Sequence, residues 1–239
     1  MTVTTSTTGS GSTSTTTAPK LLAAAVLAAP VFTVAAVVQA ATRDGYDITR
    51  HPVSMLALGD LGWVQTTSFV ATGLLSVVGA AGARRVLRGG RGSTWGPVLL
   101  ALIGVGLLVA AVFRMDASDG FPLGTPAGRL TTMSGHMILH NVGGSLSFFS
   151  MIALCFVLAA RYHAEGRRDW AASGRVAGVL FALGLGWAMT GGQGGALTLF
   201  LGVVIAWNWI AAALLADALS VTALSVAALP RRGAGHPVG

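Results

Sequence analysis

Residues 95–113 read WGPVLLALIGVGLLVAAVF, a run of 19 residues without a charged side chain. At about 1.5 Å per residue, a helix of that length comes close to crossing a hydrocarbon core of about 30 Å. The segment therefore reads as a membrane span. Outward from it, comparable apolar runs occur at about 21–42, 62–83, 133–160, 176–190 and 196–217. The expected fold is all-α, a polytopic transmembrane helical bundle of about six spans.

Composition supports that class. The chain has 239 residues, of which 53% are hydrophobic and 10% charged, whereas soluble domains carry about 25% charged residues. The expected organisation is a disordered Ser/Thr-rich tail over 1–19, a membrane domain over 20–229 and a basic tail over 230–239. A cleaved signal peptide is the rival reading of the first span, because Val38-Gln39-Ala40 resembles a cleavage site. The length of that apolar run and its weakly basic lead favour an intact span. The single cysteine, Cys155, excludes internal disulfides and multi-thiolate metal sites.

A net charge of +7 would suggest nucleic acid in a soluble protein, but its distribution here follows membrane orientation and no nucleic-acid partner is expected. With the N-terminus in the cytoplasm, 11 of the 15 basic residues fall inside, including Arg84, Arg85, Arg88 and Arg91 in one loop. The opposite side receives Asp44, Asp47, Asp60, Asp116 and Asp119. Six spans then leave both termini cytoplasmic in a bacterial inner or plasma membrane. The partners expected are the lipid bilayer and, at the arginine loops, anionic lipid. Asp217 is expected at the interface, or paired with Arg231 or Arg232, and Asn208 bonded to another helix.

Between the third and fourth spans lies RMDASDGFPLGTPAGRLTTMSGHMILHN, residues 114–141, where polar groups concentrate. His136 and His140 are four apart, so they share a helical face about 6 Å apart. Two such imidazoles can hold a metal, with His51 and Asp116 completing the set and zinc the expected ion. Ser54 would then polarise substrate or steady a water. The simpler reading is a hydrogen-bonded structural cluster, since HxxxH lacks the glutamate of HExxH. Haem fits poorly, because two histidines on one helix face cannot flank one iron. Three functions remain open on these residues: an uncharacterised membrane protein with a structural or small-ligand cluster, a zinc-dependent hydrolase of lipid-like substrates, and a small proton-linked transporter or transporter subunit.

The segments HPVSMLALGDLGWVQ (51–65), GVGLLVAAVFRMD (104–116) and SGHMILH (134–140) resemble the domain-of-unknown-function 998 family. The resemblance covers most of 20–217 and implies an integral membrane protein of about six spans. It marks His51, Ser54, Asp116, His136 and His140 as a family pattern without giving them roles. Arg114-Met115-Asp116-Ala117 stands where relatives often carry a Pro-Thr-Asp-Pro-like segment, and from Val176 onward only hydropathy agrees. A more distant similarity is to the alkaline ceramidases and progestin-type receptors, whose Ser, Asp and His residues hold zinc in seven spans. Helix count and motif order differ from that superfamily.

Overall fold

The computed structural model describes residues 14–128 and 130–227. Six helices long and apolar enough to cross a membrane account for most of them. They are α1 (Ser14–Thr42), α2 (Gly62–Val86), α3 (Trp95–Val112), α4 (Gly135–Ala164), α5 (Arg168–Met189) and α6 (Gly195–Ala227). A 3-10 helix, Val53–Ala57, lies between α1 and α2. Helix α1 takes in the end of the Ser/Thr-rich segment. Residues 1–13 and 228–239, including Arg231 and Arg232, lie outside the described residues.

Consecutive helices pack side by side, and α6 returns against α1 to close the ring. One end carries segments 43–61, 113–134 and 190–194, and is called here the acidic end. The arginine end carries the α2–α3 and α4–α5 connections. The α4–α5 link is shorter than the sequence implies, because helix continues to Ala164 and resumes at Arg168. Long arginine side chains reach the interface from within a helix, so charged residues do not stop helical structure there.

Small residues set the helix spacing, as expected where close packing drives association in lipid. A Cβ on Gly82 would lie 2.3 Å from the Leu22 nitrogen, and one on Gly79 would lie 2.3 Å from Ala25 Cβ. Backbones of α1 and α2 therefore touch. Gly106 meets Gly143 and Ser147 in the same way across α3 and α4, where the Ser147 hydroxyl also donates to Ile103 O at 2.9 Å. Gln39 of α1 donates to Gln65 of α2 at 2.7 Å, and Asn208 of α6 donates to Thr33 of α1 at 3.2 Å.

The arginine end is bound by aromatic and ionic contacts. Asp217 pairs with Arg167 at 3.3 Å; the expected pairing with Arg231 or Arg232 lies outside the described residues. The Arg167 guanidinium also lies 4.3 Å from the centre of the Tyr162 ring, whose hydroxyl donates to Ala213 O. Burial of Tyr162 brings Arg167 within reach, and nearness in sequence gave no sign of it.

Gly79→Leu is expected to force α1 from α2, an overpacking cost of about 1–3 kcal/mol, and to lower the unfolding midpoint by several degrees. Gly144→Ala, where the new Cβ meets nothing closer than Phe148 at 3.9 Å, is expected to leave that midpoint unchanged or raise it. Thermal unfolding of both variants in one detergent checks the contrast.

Candidate functional site

The acidic end is built by side chains that pair loose backbone groups. His51 is buried, and its Nδ1 accepts the Asp47 backbone N–H at 2.9 Å. That acceptor role puts the ring proton on Nε2, which donates to Asp119 O at 3.0 Å. Tyr46 donates its hydroxyl to His51 O at 2.7 Å, and both rings pack on buried Phe121. Arg43 donates to Leu56 O and Leu58 O, fastening the 3-10 helix to the end of α1. Arg50 forms an ion pair with Asp119 at 2.7 Å.

Asp116 and Ser134 start α4. The carboxylate accepts the Ser134 hydroxyl at 2.6 Å and its backbone N–H at 2.7 Å. Ser134 Oγ in turn accepts the Met137 N–H, so Ser134 is a side-chain N-cap oriented by Asp116.

His140 faces the bundle. Its Nδ1 lies 2.7 Å from Phe113 O and 3.1 Å from Ala110 O, the carbonyls left open where α3 ends. Two acceptors require the proton on Nδ1, which leaves Nε2 an acceptor. His136 is exposed in the first turn of α4, edge-on to Phe113 at 5.5 Å.

The expected ligand set is thus divided among separate tasks. His51 is held by Asp47 and Asp119, Asp116 by Ser134, and His140 by the end of α3. Among the described residues no group of three or more His, Cys, Asp and Glu stands close enough to hold a metal ion. Of the two histidines on that helical face, His140 is buried against the α3 carbonyls and His136 is exposed.

Ser54 and His140 do meet at one feature, a cavity of about 50 Å³ between α1, α2, α3, α4 and α6. Phe32, Phe69, Phe148, Phe200 and Trp207 are the aromatic residues of its wall, and Pro52 to Ser54 also line it. No hydrogen bond joins Ser54 to His140 among the described residues, and the His140 Nδ1 partners are carbonyls in place of the carboxylate of a catalytic triad. Next to it a vestibule of about 1170 Å³ reaches the acidic end, sharing Pro52, Ala196 and Leu199 with the inner cavity.

The methionines were missed by sequence reasoning. Met55, Met115, Met133, Met137 and Met189 line the vestibule, and Met151 lines the inner cavity. These are all the methionines of the chain after Met1. Their concentration in the 115–137 stretch was the visible signal.

The family described as "Protein of unknown function (DUF998)" has a model that matches residues 26–216. The chain belongs to this DUF998 family. The match includes α5 and most of α6, where sequence resemblance had rested on hydropathy alone. Comparison with curated proteins and with solved structures returns no match.

Three carboxyls at the acidic end sit below their usual range. The Ser134 hydroxyl and N–H lower Asp116, Arg50 lowers Asp119, and Thr49 lowers Asp47. A carboxyl depressed on folding contributes stability above its unfolded value of about 3.9 and loses it as pH falls through the folded value. Hydrogen exchange at 134–138 should therefore stay slow from neutral pH to about pH 4 and quicken below it, after correction for intrinsic rates. In Asp116→Asn that acid-dependent step should disappear. Protection in the native protein that persists unchanged through strong acid would contradict the assignment.

Proposed function

We propose that this integral membrane protein binds a small, largely apolar amphiphile taken up at the acidic end, without chemical conversion. The observation that carries this reading is the gathering of six methionines around two adjoining cavities. Thioether side chains are flexible and polarisable, and surfaces rich in them accommodate varied apolar ligands. His140 Nε2 supplies an acceptor, so the ligand carries a hydroxyl or another hydrogen-bond donor. Ser54 adds a second polar group to the lining. His51 and Asp116 then serve structure: their partners close the loops and start α4.

In this reading the acidic end faces outward from a bacterial cell membrane and both termini are cytoplasmic. The support is the charge distribution, with arginines concentrated at the opposite end. A zinc hydrolase is the weaker reading, because His51 and Asp116 are spent on backbone and serine partners.

The test is labelling with a photoactivatable, alkyne-tagged long-chain alcohol in nanodiscs. Label is expected on peptides around 133–151 and 189–203, and is expected to fall sharply in Gly144→Leu, which fills the inner cavity. Gly144 lines that cavity in open space, so the variant should still fold. Labelling confined to outward-facing residues such as Val142 and Leu183, and indifferent to Gly144→Leu, would overturn the reading.

A further inference from the structure

The two connections at the arginine end differ in how their charge is met. In the α4–α5 connection, Arg161 lies 2.9 Å from Glu165, and Arg167 is paired with Glu165 and Asp217. At the end of α2, Arg84, Arg85 and Arg88 are exposed, and among the described residues none of them has an ion-pair or hydrogen-bond partner. No acidic residue occurs anywhere from 61 to 115. Arg161 adds to the same corner by donating to Leu87 O and Arg91 O.

Arg84, Arg85 and Arg88 all line a furrow of about 520 Å³ between α2 and α3. Its floor is apolar: Ala80 and Ala81 from α2, with Pro97, Val98 and Ala101 from α3. The first turn of α3 enters the furrow, and its dipole also favours an anion there. Exposed Trp95 stands beside it, in the manner of a residue anchored at the headgroup level. Orientation in the membrane accounts for positive charge at this end. It does not require the charge to line a furrow between two helices with a floor of small apolar residues.

We propose that this furrow is a binding site for an anionic glycerophospholipid. The phosphate would rest among Arg84, Arg85 and Arg88, and one acyl chain would follow the α2–α3 groove down into the bilayer. Guanidinium forks match phosphate oxygens in pairs, while the apolar floor selects a lipid over a free anion. Basic pockets between membrane helices are a recurrent means of holding such headgroups.

Native mass spectrometry of the full chain released from nanodiscs of mixed phosphatidylglycerol and phosphatidylcholine tests this. The native protein should retain phosphatidylglycerol in preference. Arg84→Gln/Arg88→Gln should reduce that retention roughly tenfold or more, from the worth of two guanidiniums at a membrane surface. Because charge removal can also alter insertion, Ala101→Trp serves as a second variant that fills the floor and leaves every charge in place. It should reduce retention as well, and millimolar inorganic phosphate should not displace the lipid. Equal retention of both lipids by the native protein, displacement by phosphate, or retention unchanged in Ala101→Trp would each overturn the site.

Discussion

Backbone carbonyls that a helix leaves open cannot turn to water inside a bilayer, and the structure depends on how this chain closes them. The ends of α3 and of the 3-10 helix are where the demand is greatest. His140 closes Ala110 and Phe113, Arg43 closes Leu56 and Leu58, and His51 closes Asp119. At the other end Arg161 serves Leu87 and Arg91. In a chain with so few charged residues, most of the conspicuous polar side chains have this task. His51 and His140, two of the candidate metal ligands, have carbonyl partners.

Glycine contacts decide where space remains. At Gly79 and Gly82 between α1 and α2, and at Gly106 and Gly143 between α3 and α4, the helices approach to backbone contact. Large aromatic groups enter where these pairs face α6, with the Trp207 ring tilted against Phe32 at 5.0 Å between centres. Bulky rings opposite close-packed helices cannot fill the centre completely, and the inner cavity is what remains. The start of the 3-10 helix lines it, so the segment that His51 and Arg43 hold in place also bounds the cavity. Loop structure and ligand space are thus one construction at the acidic end.

Much of the architecture was legible in hydropathy. The six spans and the interhelical bond of Asn208 could be read from composition and spacing. Of the candidate site residues, helical periodicity put His136 and His140 on one face but could not say that His140 is buried and His136 exposed. That depended on Phe113, whose carbonyl is an acceptor in any residue and leaves no mark in sequence. The pairing of Asp217 with Arg167 was hidden similarly, because it joins helices through a contact made only on packing. The methionines were visible as letters, yet only the fold brings Met55 and Met189 beside Met137.

The assignment of both buried histidines to carbonyl closure is most directly tested by nitrogen-15 NMR of histidine-labelled protein in bilayers, with and without added zinc. The account predicts a neutral His140 protonated at Nδ1, a His51 protonated at Nε2, and no change in either on adding zinc. Zinc-induced shifts of both rings, lost when Asp116 is replaced by Ala, would contradict it and restore a shared metal site.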